Sequence, residues 1–534
     1  MVMKISRICI WVLMLGTVMV FSSCANEHPK EQLDGNAMYG SASEIYNHTV
    51  SSLYQDIDFV EHSEEEDSLY AVWSHLYQVI GKANQSLDII DYKSDLLSVN
   101  QKDQFKAEVR AIRAMMYYEA MELFGRIPVI LSSGEAAIYE AASGIAVASL
   151  TDVNLCAQSE RSEVFRFIFS ELQQALPYLP NEHSANGGVY EGRITQPVIN
   201  FLLAKLAFNA EIYTFDDWTR GYKKRPKGKK IHFVVQTADG ASLLNGGTAG
   251  ENRSKELNAW ETCIYYCDKL AEEGYMLEGD YAVNFSTHNE NSRENIFTIP
   301  MDKNVYVNQF HYLFRSYHYA HGGLFGWGSE NGTCATVSTM RTNHYGEADE
   351  DARCKVNFVA GMVKVDGKNV LMDNGKALEY QPLEVKQNLT NSPYVKTAGA
   401  RMAKYEVDRT AYMDGRLISN DIVLFRYADA LLMKAEAKVR NGEDGSAELD
   451  AVRLRVGMPV CEASLENILR ERLLELVWEG WRRQDLIRFG LFTGAYDLRE
   501  PLPNEQSGYT TVFPIPQKCI NLNKKLIQNK GYEK

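Results

Sequence analysis

The stretch that most restricts what this chain folds into is Asp103–Leu131, DQFKAEVRAIRAMMYYEAMELFGRIPVIL. Phe105, Val109, Ile112, Met116, Ala120 and Leu123 recur at steps of three or four, which places them on one stripe of an α-helix facing a core. Asp103 suits the start, Gly125 suits a left-handed turn at the end, and Pro128 stops any continuation. The expected helix is roughly 20 residues and about 30 Å long. Ala107, Ala111 and Ala114 form a neighbouring face of small residues that lets a second helix pack closely, as in helix-pair repeats. Arg110 and Arg113 then lie beside that contact, stems packed and heads paired.

The amino end carries a different message. Lys4 and Arg7 precede the apolar run Ile8–Phe21, which is too short for a stable membrane span and reads as a signal peptide over residues 1–23. The run ends in Phe21-Ser22-Ser23-Cys24, small residues before a cysteine, which resembles a lipoprotein processing site. Cleavage before Cys24 would lipidate that thiol and leave the mature chain anchored to a membrane rather than spanning it. Residues 24–40 are polar without period, a tether. Losing residues 1–23 removes two basic and no acidic residues, so the formal charge moves from −14 to −16, which argues against a nucleic-acid partner. Seven cysteines besides Cys24 remain, an odd and scattered set that does not suit a disulfide framework. Cys263 and Cys267 sit one helical turn apart with no metal ligand beside them, as expected of core packing.

Helical spacing recurs along the rest. Trp73, Tyr77, Ile80 and Asn84 follow the acidic run Glu64–Asp67, and Trp73 is expected in the core. Val164, Ile168, Leu172 and Leu176 mark a further helix, and Gly192-Arg193-Ile194-Thr195 leads into Pro197 and PVINFLLAKLAFNAEIY. Residues 216–256 form an excursion, with seven basic residues between Arg220 and Lys230 ahead of the strand candidate IHFVVQT. A solvated loop is one reading of it, and a contact with an acidic glycan or a partner protein is the other. Later come VLFRYADALLMKAEAKVR and SAELDAVRLRV as a helix pair, SLENILRERLLELVWEGWRRQDLIRFG as a long helix, and VFPIPQKCINLNKKLIQNKGY as a closing strand and tail.

At these residues the chain resembles the SusD/RagB family, the glycan-capturing surface lipoproteins of Bacteroidetes. AEVRAIRAMMYYEAMELFGRIPVI looks like that family's signature helix; Trp73 to Asn84 is similar to its W-x3-Y-x2-I-x2-AN helix. Arg426 to Ala437 resembles its RYAE-x-LLM-x-AEA motif, with Asp429 where Glu is more usual, and Glu471 to Gly490 resembles its ER-x-x-EL-x-x-EG-x-R-x-x-DL-x-R-x-G helix. The resemblance implies a mainly α fold: a tetratricopeptide-like helix-pair scaffold bearing an irregular, loop-rich region and a few short strands. It spans residues 41–534, with an N-terminal part over 41–215 and a C-terminal part over 257–534. It also implies an outer-membrane, outward-facing lipoprotein that captures an oligosaccharide and passes it to a SusC-like TonB-dependent transporter, with no catalysis and no cofactor. A RagB-like peptide-import subunit and a surface glycoside hydrolase are the alternatives.

Glu471, Glu475, Glu479 and Asp485 invite the hydrolase reading, since two carboxyls in one cleft can protonate and attack a glycosidic bond. Their spacing favours structural pairs instead: Glu479 with Arg482 or Arg483, and Asp485 with Arg488. His311, His318 and His321 lack a thiolate or carboxylate at ligand spacing, so no metal site is expected. The segment YHYAHGGLFGWGSEN, Tyr317–Asn331, remains. Its aromatics follow no helical stripe, and a sugar's apolar face and hydroxyl rim call for flat rings flanked by polar side chains. Tyr319, Phe325 and Trp327 are the candidate faces, and His321 and Asn331 the candidate hydrogen-bonding groups. Trp327 comes first, because the family often carries a tryptophan in this glycine-rich stretch ahead of its D-x-R, here Asp351-Ala352-Arg353.

Overall fold

In the computed structural model the described residues are 68–131, 157–236, 254–302, 316–326, 328–411 and 418–533, together with Ala42, Tyr46, Thr49, Val50 and Leu53. Cys24, the acidic run 64–67, His311 and Trp327 lie outside them.

Helix follows helix in chain order. The longer ones are α1 (Ser68–Tyr92), α2 (Val99–Phe124), α3 (Arg161–Ala175), α4 (Gln196–Phe208), α5 (Ala259–Glu272), α6 (Tyr427–Asn441), α7 (Ser446–Arg455), α8 (Leu465–Leu476) and α9 (Arg482–Phe489). Each of α1 to α6 packs on its successor, and α6 packs in turn on α7 and α8, so the scaffold is a stack of helix pairs. Strands are few: β1 (His232–Gln236) pairs antiparallel with β2 (Ser254–Asn258), and β3 (Asn295–Ile299) with β4 (Ile422–Arg426). The other strands among the described residues are two-residue hairpin pieces between Phe358 and Met402.

The helix α2 sits at the centre of the first pairs. Its start is set by Ser98 and Gln101 in a capping box, five residues before Asp103, and its end by Gly125 with φ +73°. A β-carbon at Gly125 would come within 2.8 Å of the Trp218 ring, so both the turn and the crowding require glycine. Burial on α2 extends well beyond the Phe105 stripe, because α1 and α3 cover it from two sides. Ala107, Ala111 and Ala114 are buried, and Arg110 and Arg113 both reach Glu171 of α3, at 2.6 and 2.7 Å. Trp73 is a core residue, edge-on to Phe124, and Cys263 and Cys267 are buried and free.

Three expectations change in the folded chain. Val423–Arg426 is strand, because it pairs with Phe297 and its neighbours, and the helix begins only at Tyr427. The closing segment around Phe513 forms no strand: Phe513 N–H donates to the Leu123 carbonyl at the end of α2, and a helix over Gln517–Leu522 follows Pro516. The long carboxyl-terminal helix is two, broken between Leu476 and Arg482, where Trp478 (φ +70°) and Gly480 (φ +84°) turn left-handed. Carbonyls freed by the break find other donors. Lys404 Nζ donates to those of Glu475 and Val477, each at 2.9 Å, and Arg426 and Tyr281 donate to that of Glu475.

Around this break lies a buried knot of charge. Arg426 reaches Glu294 and Glu479 at 2.8 Å and Glu475 at 2.5 Å. Arg353 reaches Asp351, Glu471 and Glu475; Arg453 reaches Glu471; Arg455 reaches Glu294 and Glu475; and Lys404 reaches Glu479. Five cations meet five carboxylates, so the knot is neutral as a whole. Burial alone would neutralise Glu475, but Arg455, Arg426 and Arg353 outweigh it and hold the carboxyl well below its usual range. A second chain of pairs, Lys205–Asp429–Arg472–Asp485–Arg488–Glu436, ties α4, α6, α8 and α9.

Removing one member of a buried pair strands its partners, so Arg426→Ala is expected to cost about 3–5 kcal/mol in urea unfolding, whereas loss of the exposed Arg409–Asp366 pair (3.0 Å) should cost about 0–1 kcal/mol. Burial would raise the Glu436 carboxyl, yet Arg488 and Arg440 bring it down to about 2 from 4.5. Its ionised form therefore stabilises the fold above about pH 4.5, and this contribution is lost as pH falls through about 2. The stability gap between the native protein and Glu436→Gln should accordingly shrink over that interval, read by unfolding at stepped pH.

Candidate functional site

The aromatic, glycine-rich loop is mounted on a second, smaller core built from Tyr281, Phe285, Met301, Tyr317, Met402, Tyr405 and Ile422. Asn331 N–H donates to the Tyr317 carbonyl (3.0 Å), closing the loop into a narrow neck. Arg401 staples the neck. Its guanidinium donates to the carbonyls of Ala398 (2.6 Å) and Gly399 (3.0 Å) and to Oδ1 of Asn331 (2.8 Å), and lies 4.6 Å from the Tyr380 ring centroid. Asn331 Nδ2 donates to the Lys396 carbonyl at 2.9 Å. Within the loop, His318 Nδ1 accepts from Ala320 N–H and starts the one-turn helix Tyr319–Gly322, while Tyr380 Oη accepts from His318 N–H at 2.9 Å.

The predicted site residues divide into two groups. Tyr319 is 53% exposed, with Lys396 Nζ 6.0 Å from its ring centroid. Phe325 is half-buried, its ring 5.6 Å from the Arg409 guanidinium, which pairs in turn with Asp366. Leu324, which the sequence did not single out, stands beside Phe325 in the chain at 58% exposure. β-carbons added at Gly323 and Gly328 would meet open space, so these glycines keep the relief low next to the rings. His321 and Asn331 face the other way. His321 is 4% exposed and lies stacked on Tyr317, 4.0 Å between centroids and 7° between planes, with Nδ1 3.3 Å from Tyr380 Oη. Both ends of the Asn331 amide are engaged by Arg401 and the Lys396 carbonyl. The two residues expected to point outward thus brace the loop, because the polar partners that attract them sit beneath it. Arg401, Lys396 and Tyr380 are about 50 to 80 residues away in the chain, beyond the reach of any local spacing rule.

The carboxylates of the hydrolase reading are all committed. Glu471, Glu475, Glu479 and Asp485 are buried in the pairs described above. The Asp485–Arg488 pair is the one expected from helical spacing, at 2.8 Å. Glu479 instead pairs with Arg426 and Lys404, while Arg483 reaches Glu122 of α2 and Arg482 donates to the Leu469 carbonyl. Among the described residues one trio with metal-ligating atoms gathers, His344, Glu347 and Asp349, within 4.8 Å on a surface turn where His344 and Asp349 already pair at 2.8 Å.

A family model described as "SusD family" matches residues 294–532, and another, "Starch-binding associating with outer membrane", matches residues 14–205. The starch-binding protein SusD of Bacteroides thetaiotaomicron is 33% identical over 153 residues, 26% of this chain and 27% of that protein, so the alignment spans about a quarter of that relative's length. SusD-like protein P2 of Formosa agariphila is 22% identical over 529 residues, 92% of this chain and 86% of that one. In fold, the chain is similar to the crystal structure of a SusD homologue from Bacteroides thetaiotaomicron, with a TM-score of 0.64 at 19% identity, covering 95% of this chain and 99% of that one.

Burial, with His318 and Arg401 adding to it, pushes the His321 imidazole down to about 4 from its ordinary 6.5. It is therefore neutral at physiological pH, and ligand affinity should owe no pH dependence to it above about pH 5. An NMR titration of the His321 ring should give a midpoint below about pH 5; a midpoint near 6.5 would mean the ring is open to water.

Proposed function

The chain belongs to the SusD/RagB family, and on that premise we propose that it is a glycan-binding lipoprotein of the outer-membrane surface that captures oligosaccharides without breaking them. The observation that carries the reading is the exposed Tyr319–Phe325 surface, in which Tyr319, Leu324 and the half-buried Phe325 ride on a loop stapled by Arg401. Apolar rings beside cationic groups suit a sugar: the C–H face lies on a ring, and Lys396 and Arg409 donate to hydroxyls at the rim. A loop already held in place pays little ordering entropy on binding. Trp327 is proposed as a third ring of the same surface, with His321 and Asn331 as the positioning residues that hold it. The similarity to a starch-binding protein supports a glucan or a related neutral glycan as ligand.

Anchorage through a lipid on Cys24 and delivery to a SusC-like TonB-dependent barrel complete the proposal, the loop face opening and closing over the transporter mouth. Commitment of Glu471, Glu475, Glu479 and Asp485 to buried ion pairs supports a non-catalytic role, because no paired carboxyl among them faces a ligand.

Calorimetry of the soluble protein against a panel of neutral oligosaccharides should find a ligand, with Tyr319→Ala weakening it about tenfold or more, or about 1.4 kcal/mol. No new reducing ends should appear on prolonged incubation. Full affinity in both Tyr319→Ala and Trp327→Ala would move the site elsewhere, and turnover of the glycan would overturn the non-catalytic reading.

A further inference from the structure

The basic residues of a second surface lie in a stretch that neither family model covers, residues 206–293. Arg220, Lys223, Lys224, Lys227, Lys229 and Lys230 are all exposed within eleven residues of a chain whose net charge is −14. None of the six makes an ion pair among the described residues. Of the carboxylates in neighbouring segments, Asp217 pairs with Lys530 at 2.9 Å and Glu505 with Arg499, while Glu211 and Asp216 accept only from the neutral donors Gly228 N–H and Ser162 and keep their charge. Among the described residues the six cations outnumber these two unpaired anions, so the segment presents net positive charge.

The segment is also held in place. Three tight turns, Trp218–Arg220, Tyr222–Lys224 and Gly228–Lys230, set its course. Arg225 is buried between them, its Nη1 donating to the Ile487 carbonyl at the end of α9 (2.7 Å). The Tyr222 ring lies over Gly490, where a β-carbon would come within 2.4 Å, and Gly228 lies as closely against Trp260. Beside the first turn a hollow of about 280 Å³ opens between Thr219 and the carboxyl-terminal segments, lined by Asn504, Ser507, Tyr509 and Lys530. Its lining offers the Asn504 amide, the Ser507 hydroxyl and the Tyr509 ring, which an edge-on Tyr532 holds at 5.1 Å, while Thr219 and Lys530 of the same lining are bonded to Asp217 at 2.6 and 2.9 Å.

We propose that this hollow and its cationic border form a second carbohydrate site, selective for saccharides that carry an anionic group. A sugar ring sits against Tyr509 with its hydroxyls on Asn504 and Ser507, while a carboxylate or sulfate is held by Arg220, Lys223 and Lys224. The ring and polar groups of its lining set the hollow apart from a plain charged patch, and the acidity of the rest of the chain disfavours a long nucleic-acid backbone. The site shares no residue with the Tyr319 surface.

The test is calorimetry of the intact soluble protein against polygalacturonate, dextran sulfate, neutral dextran and poly-L-glutamate in low salt. The expected result is binding of polygalacturonate, dextran sulfate or both, at least tenfold tighter than dextran and poly-L-glutamate, and weakened at higher salt. The first two polymers distinguish a carboxylate from a sulfate requirement. The triple variant Arg220→Glu, Lys223→Glu, Lys224→Glu should lose at least tenfold. So should Ser507→Trp, which fills the hollow and leaves every charge in place; circular dichroism would confirm the fold of both. Tyr319→Ala should leave this binding intact while weakening the neutral glycan, so the two sites fail independently. Equal affinity for poly-L-glutamate, indifference to Ser507→Trp, loss on Tyr319→Ala, or no binding to either anionic polysaccharide would each overturn the proposal.

Discussion

The structure depends on the pairing of Arg426 with Glu294, Glu475 and Glu479. Arg426 ends β4 and immediately precedes α6, so its guanidinium sits where the strand pair, the helix stack and the broken carboxyl-terminal helix meet. A buried guanidinium is tolerated only if its donors are satisfied and its charge balanced. Glu479 accepts two of its hydrogen bonds and Glu475 supplies both a carboxylate and a carbonyl. That carbonyl is free to accept because the helix stops at Leu476. The break and the ion pair are thus one device: continuing the helix would bury the Glu475 carbonyl in its own ladder and carry Glu479 around to another face.

From the knot, order passes outward to the loop-rich region. Arg353 of the D-x-R turn ties that region to Glu471 and Glu475 of α8, and Lys404, two residues after Met402 of the second core, ties it to Glu479. Arg401 then holds the neck of the aromatic loop. Rigid helices, buried charge and a stapled loop therefore form a continuous chain of contacts ending at Tyr319 and Phe325. A binding surface carried on irregular backbone needs such support, since loops have few ladder hydrogen bonds of their own.

How much of this the residues disclose in advance depends on the range of the interaction. The α2 stripe, the Arg110 and Arg113 contact with a neighbouring helix, the core Trp73 and the Asp485–Arg488 pair follow from spacings of three or four, which helical geometry enforces locally. The same rule paired Glu479 with Arg482 or Arg483, and there it failed. Arg426 is 53 residues away, and its guanidinium offers a fork that satisfies both carboxylate oxygens at once. In the aromatic loop, composition pointed to side chains turned outward, and the fold turns His321 and Asn331 the other way. His321 turns inward because Tyr317 and Tyr380 offer a stacking face and a hydroxyl beneath it.

The amino-acid order by itself determined that the chain is a succession of amphipathic helices, where most of them run, and that glycine and aromatic residues concentrate in one irregular stretch, because periodicity and turn chemistry act over a few residues. Only the tertiary structure decided that the last long helix is broken, which carboxylate meets which arginine, and which of the loop's side chains face water. Those outcomes turn on charges and carbonyls brought together from distant parts of the chain, and the cost of leaving any one of them buried alone is what selects the arrangement.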